Sequence, residues 1–327
     1  MSGTEASTEL AIAQVLGHCG ENPAEAVRYI GRAITMAPHL ARPYDMLADL
    51  CRDSPAETAA AGEAATYAGD IAALAFLRFI EGRYDDAVLC VGTVTGHKPQ
   101  VAWADAPWFG EPAFLASVGA DAVAEAALRT MDGGHDLTAE GVGERFQPWF
   151  RLIEVVADRD PRPEVLARMA MFLRACGRTD ESFALCDRAD EVEPAMLTEV
   201  VRAGTWRVLG DQERTLAAFE RALALEPANW SLYLDLADTR VAQGDYAAAV
   251  DLVDRGLRQE PQEVTLRAAR AAFRARHAGS AADLTELIAL APSLPDPGYR
   301  NWLLDQACDG SGLPADLVTT ARALKNR

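Results

Sequence analysis

Residues 242–261 read AQGDYAAAVDLVDRGLRQEP. Gly244 lets the chain enter the left-handed region and stop a preceding helix cheaply. Pro261 has no N–H, so it ends the following helix or opens the next one. The same plan occurs twice upstream. The turns are Ala-Cys-Gly-Arg-Thr-Asp at 175–180, Val-Leu-Gly-Asp-Gln-Glu at 208–213 and Ala-Gln-Gly-Asp-Tyr-Ala at 242–247. Each follows an apolar helical run, and the closing prolines are Pro194, Pro227 and Pro261, with Pro292 beyond them. A two-helix unit of about 34 residues therefore recurs between 163 and 263.

The unit closed by Pro261 carries Tyr233, Leu236, Ala237, Gly244, Ala249, Val253 and Gly256. The unit closed by Pro227 carries Gly210, Phe219 and Ala222, with Thr215 in a small-residue place. The unit closed by Pro194 carries Leu166, Met169, Ala170, Gly177 and Ala189, with Ser182 in that place. Small residues such as Ala237 and Ala249 let two helices approach to about 8–10 Å. This pattern resembles the tetratricopeptide repeat. The resemblance implies an all-α fold, a right-handed α-solenoid of stacked antiparallel hairpins.

The same ruler extends toward the N-terminus. Pro38 closes a unit with Ala26 and Ala33, and Pro99 closes one with Leu74, Ala75, Gly82, Tyr84 and Ala87. Segment 41–66 has one good helix (Tyr44, Leu47, Ala48). Segment 112–131 reads as two short helices around Val118-Gly119, and 145–159 as one helix with Pro148 near its start. The expected organisation is degenerate repeats over 1–131, an irregular hinge and connecting helix over 132–160, well-formed repeats over 161–292, and capping helices over 293–327. Four glycines in 132–144 disfavour helix there. The expected total is nine or ten hairpins.

The chain has 327 residues, half of them apolar, and a formal charge of −18. Residues 1–160 hold −13 of this charge. Such acidity argues against nucleic acid as a partner. No 18-residue apolar run predicts a membrane span, and the polar, acidic start does not read as a leader. Six scattered cysteines without a CxxC read as reduced thiols, which predicts a cytoplasmic location. Lys98 and Lys325 are the two lysines. The Arg and Ala bias is that of a high-GC bacterial genome.

Motifs for chemistry are missing. His18-Cys19 is the one adjacent His/Cys pair and reads as a helix end, not as a metal ligand set. There is no GxxxxGK[ST], no GxGxxG after a strand and no GxSxG. Asp85-Asp86 and Asp235/Asp238 read as solvated helix faces. The expectation is a protein with no cofactor, no metal and no catalytic residues, not an enzyme.

What remains is a groove. In the resembling family the concave face is lined by the first helix of each hairpin. Carried over by position, that implies Phe76 and Phe79, then Met171 and Arg174, then Arg207 or Val208, then Leu234, Asp238 and Val241. Core packing is the competing reading for each apolar member. The Lys and Asn that hold a peptide carboxylate in chaperone-binding relatives have no counterpart here: their places are taken by Ala72, Ala167 or Leu234, and by Phe76, Met171 or Asp238. The groove suits an apolar or amphipathic segment. A second candidate is the aromatic patch of Trp103, Trp108 and Phe109, read either as an exposed binding hot spot or as filling beneath degenerate repeats. Arginines recur before the turn glycines (Arg78, Arg174, Arg207, Arg240, Arg276), read either as compensation of helix dipoles or as a guanidinium ladder. The implied function is a non-catalytic interaction scaffold or adaptor that takes a peptide or helix of a partner protein. The alternative is a peptide or small-ligand sensor.

Overall fold

The computed structural model of the chain describes residues 7–13 and 22–326. His18 and Cys19 lie outside them. Among the described residues all regular structure is helical and there is no strand. Contacts divide the chain into two units, Met1–Pro194 and Ala195–Arg327. Each is a stack of helical hairpins, the plan of an α-solenoid.

The second unit is the more regular. Its first three hairpins are α13 (Met196–Val208) with α14 (Gln212–Leu225), α15 (Trp230–Ala242) with α16 (Tyr246–Gln259), and α17 (Val264–Ala278) with α18 (Ala281–Leu290). The turns between the first two pairs are alike. Gly210 and Gly244 sit at φ 76° and 78°. The next amide reaches back to close the first helix, Asp211 N to Trp206 O and Asp245 N to Arg240 O, both at 3.0 Å. This is a Schellman ending, in which glycine takes the left-handed position without a Cβ penalty. The same aspartates then cap the second helices, accepting from Arg214 N and Ala248 N at 3.0 Å, a bond that satisfies an otherwise orphaned donor.

Ala237 and Ala249 are fully buried between α15 and α16, as their size requires. Gly256 is equally constrained, since a Cβ there would lie 3.1 Å from Cβ of Tyr233. The Tyr233 hydroxyl donates to the Pro227 carbonyl at 3.0 Å, tying the hairpin's start to the preceding closing proline. The one-residue deficit in the repeat closed by Pro227 falls in a connection. Helix α13 begins two residues after Pro194, whereas α15 and α17 begin three after Pro227 and Pro261. Register therefore counts back from the turn glycine, and Arg207, not Val208, occupies the place of Val241.

Two further helices, α19 (Pro297–Cys308) and α20 (Ala315–Ala323), end the unit. α19 packs chiefly on α17 and only sparsely on α18, while α20 lies on α18 and α19.

The first unit starts with a helix over 7–13, named α1, and continues with α2 (Pro23–Met36), α3 (Arg42–Asp53), α4 (Pro55–Glu63), α5 (Ala68–Ile80) and α6 (Tyr84–His97). The α5–α6 turn repeats the Schellman ending, with Gly82 at φ 73° and Arg83 N bonded to Arg78 O at 2.9 Å. Tyr44 donates to Pro38 O at 2.9 Å, the counterpart of Tyr233 and Pro227.

Irregularity follows: α7 (Pro112–Ser117), α8 (Ala120–Arg129), α9 (Val142–Arg145) and α10 (Gln147–Arg159) precede the regular hairpin of α11 (Pro163–Ala175) and α12 (Thr179–Val192). The break between α7 and α8 falls at Val118–Gly119, where the sequence predicts it. α8 packs on α6 at one side and α11 at the other, doing alone what a hairpin does elsewhere. Close approach is allowed by Gly92 of α6, whose Cβ would sit 2.8 Å from Ala126 Cα. The loop from 131 to 141 lies inside this unit and buries Leu137.

The aromatic patch is core. Trp103, Trp108 and Phe109 are 3%, 3% and 1% exposed. Of the two readings, filling beneath the degenerate repeats holds, because two short 3-10 turns, Trp103–Asp105 and Pro107–Gly110, tuck the rings inward. They join a run of ring contacts from Phe79–Trp108 (5.1 Å) through Trp108–Phe109 (5.8 Å) and Phe109–Trp149 (5.2 Å) to Trp149–Phe172 (6.2 Å). This cluster fills the space that the missing hairpin helix leaves.

Candidate functional site

The groove positions sit six and three residues before each turn glycine: Phe76 and Phe79 on α5, Met171 and Arg174 on α11, Gly204 and Arg207 on α13, Asp238 and Val241 on α15.

In the first unit the aromatic pair is taken by the core. Phe76 is 7% exposed and edge-on to Tyr44 at 5.1 Å. Phe79 is half-buried and contacts the rings of Phe76, Tyr84, Trp108 and Phe114. The competing core reading holds for Phe76, while Phe79 joins the ring cluster and keeps part of its surface. Met171 and Arg174 are half-buried on α11.

In the second unit the positions come together. Arg207 is exposed at the end of α13, and its guanidinium lies over the Phe219 ring at 5.2 Å and reaches Thr239 Oγ1 of α15 at 3.3 Å. Leu234 and Asp238 are half-buried on α15, and Val241 is 6% exposed. The wall therefore carries one cation, two carboxylates (Asp235 and Asp238) and a floor of Leu234 and Val241.

The reading of Asp235/Asp238 as a solvated face is corrected here. Burial pushes the Asp238 carboxyl up to about 7, opposed by the bond from Tyr299, with Asp235 adding to the rise and Arg207 opposing it. Burial also raises Asp235, with Arg207 opposing. Desolvation disfavours the charged form, and a lone guanidinium facing both groups does not cancel it. Asp85 likewise is more than a solvated residue, since its Oδ1 accepts from Gly119 N at 2.6 Å.

Sequence reasoning missed the partner of Asp238. Tyr299 of α19 donates its hydroxyl to Asp238 Oδ1 at 3.0 Å. Burial, and then the Asp238 charge, raise the Tyr299 phenol. On the same helix face Trp302 lies edge-on to Phe273 of α17 at 6.0 Å, and Gln306 Oε1 accepts from the Tyr246 hydroxyl at 2.8 Å. The signal available was the spacing of 299, 302 and 306, which puts three chemically distinct side chains on one helix stripe.

The arginines before the turns form no ladder. Arg78 pairs with Glu63 and with Glu81 (3.0 Å), Arg240 donates to Gln243 at 3.1 Å, and Arg276 donates to the Asp309 carbonyl and lies over Tyr246 at 5.6 Å. Each of these three has a partner of its own.

Other concavities lie within single units. One of 680 Å³ in the first unit is lined by Phe150, Glu154, Arg178 and Arg188, with the Arg178 guanidinium 4.4 Å above the Phe150 ring. One of 580 Å³ in the second unit runs between α14, α15 and α16 past Tyr233, Arg240, Asp251 and Arg255. Among the described residues no three His, Cys, Asp or Glu side chains converge to hold a metal, and no helix is long and apolar enough to cross a membrane.

The tetratricopeptide repeat family profile matches residues 209–273. No curated protein matches the sequence. Solved structures that resemble the chain include TTC0263, a thermophilic tetratricopeptide-repeat protein of Thermus thermophilus, at 19% identity over 63% of this chain and 98% of that one, TM-score 0.38. A tetratricopeptide repeat protein from Parabacteroides merdae matches at 13% identity over 93% and 99%, TM-score 0.40. MamA matches at 12% over 55% and 91%, TM-score 0.34. The profile match falls on α14 to α17 and their turns, the hairpins whose glycines, prolines and small residues carry the repeat plan, so this stretch of the chain is a tetratricopeptide-repeat segment.

Proposed function

We propose that the chain is a non-catalytic adaptor of the cytoplasm that holds a peptide or helical segment of a partner protein on the first-helix face of its second unit. The observation that carries this reading is the row of Arg207, Leu234, Asp238 and Val241 on α13 and α15. It offers apolar surface flanked by one cation and half-buried carboxylates. Such a surface takes an amphipathic segment: side chains insert between helices while polar groups fix register. The acidity of the chain, −18 overall, turns anionic partners away.

The test is affinity capture from the source cell with the wild-type chain and with Leu234→Arg and Arg207→Ala, each checked for retained helicity. The expected result is a protein enriched by the wild type and lost or reduced at least tenfold with Leu234→Arg. Equal recovery by all three would place the interface elsewhere.

A further inference from the structure

We propose that the first-helix face of α15 and α17 is a receptor for an amphipathic helix bearing a tyrosine, a tryptophan three residues on and an amide four beyond that, and that α19 is its built-in occupant, displaced when a partner helix of that chemistry binds. The proposal rests on the adaptor reading above and names its partner class.

Three contacts define what the face reads. Asp238 presents a carboxyl oxygen that accepts from the Tyr299 hydroxyl at 3.0 Å. Phe273 presents a fully buried ring to the edge of Trp302 at 6.0 Å. Tyr246 presents a hydroxyl to the Gln306 amide oxygen at 2.8 Å. Positions 299, 302 and 306 fall on one stripe of a helix. The ring of Tyr299 also stacks on that of Trp302 at 5.4 Å. Leu234, Tyr246, Tyr299 and Trp302 pack against one shared core.

The manner of seating sets α19 apart from the other first helices. α15 and α17 each sit on the second helix of the preceding hairpin, whereas α19 barely touches α18 and rests on α17. It reaches across to α15 and to the start of α16, running parallel to α17. The link to α18 is the segment 291–296, with Pro292 and Pro295 in it and Pro297 after it. A face that selects a hydroxyl donor, an indole and an amide in register has a recognition code, and an external helix with the same code competes for it. Occupancy in cis lowers the apparent affinity for that helix by the fraction of chains left open.

The experiment uses the full chain and a fluorescein-labelled peptide of residues 296–309 with Cys308→Ser. In the Trp302→Ala chain the resident helix is weakened and the face is intact. The expected result is peptide binding at least tenfold tighter than to the wild type, and a loss of about tenfold when the peptide carries Tyr299→Phe, which deletes only the hydroxyl bonded to Asp238. Binding no tighter than wild type, or indifference to Tyr299→Phe, would overturn the proposal. Should Trp302→Ala fail to fold, hydrogen exchange of the wild type decides. Amides of 297–308 exchanging at least tenfold faster than those of 264–278 support a displaceable helix, and exchange at one common rate overturns it. Failure here with capture still dependent on Leu234 would leave the adaptor reading standing, and capture indifferent to Leu234 would overturn that reading alone.

Discussion

Asp238 holds its proton more tightly in the folded chain than in the unfolded one, because burial beside Tyr299 moves its carboxyl from the ordinary 3.8 up to about 7. A raised folded value contributes stability that is fully present below pH 3.8 and is lost as pH rises through about 7. Asp235 shifts in the same direction, so it adds to the trend. Asp238→Asn keeps an oxygen for the Tyr299 hydroxyl and removes the charge. Thermal unfolding of this variant should match wild type most closely below about pH 4 and gain on it progressively up to about pH 7, by a few °C in all, with the gain held at about pH 8. A constant difference across that range would contradict the assignment. The first unit offers a different residue test. Phe76 is enclosed by Tyr44 and Phe79, so Phe76→Ala should cost about 3–5 kcal/mol in denaturant unfolding, and a loss below about 1 kcal/mol would place the ring at the surface. That Phe76 is core and Asp238 groove was not legible in the sequence. Both sit six residues before a turn glycine, and only the local filling decides which faces a neighbour: a cluster of rings in one unit, the arriving α19 in the other.

Helices and their turns were the legible part. From Gly82 to Pro99, Gly177 to Pro194, Gly210 to Pro227 and Gly244 to Pro261 the spacing is the same 17 residues, and all four glycines adopt φ 73–78°. Local chemistry fixes such features, so a single chain displays them. Gly244→Ala forces a Cβ into the left-handed region with open space around it, so its effect is confined to backbone strain of about 1–2 kcal/mol. Gly92→Ala is a contrasting case, since φ is ordinary and the obstruction is the α8 backbone, with Ala126 Cα at 2.8 Å. It should cost about 1–3 kcal/mol or more through forced separation of α6 and α8. Equilibrium unfolding compares the two. Gly92→Ala alone should also increase exchange of α8 amides. The region between 103 and 160 resisted reading for the converse reason. There a single helix, two short turns and a set of rings replace a hairpin, and nonlocal packing, not helix propensity or turn chemistry, holds Trp103, Trp108 and Phe109 inside.

For the whole molecule, repeat number does not by itself locate function. The first unit invests its large side chains in a continuous aromatic core, and most of the negative charge, −13, lies within residues 1–160. The second has the regular hairpins, the family match over 209–273 and the convergent row of groove residues. On the proposed reading, partners bind the first-helix face of the second unit. Hydrogen–deuterium exchange of the full chain, free and saturated with the protein it captures, tests this most directly. The result expected is slowed exchange in 196–208 and 230–242, accompanied by faster exchange in 297–308 as α19 yields its place. Protection confined to the first unit, with 196–242 unchanged, would contradict the claim.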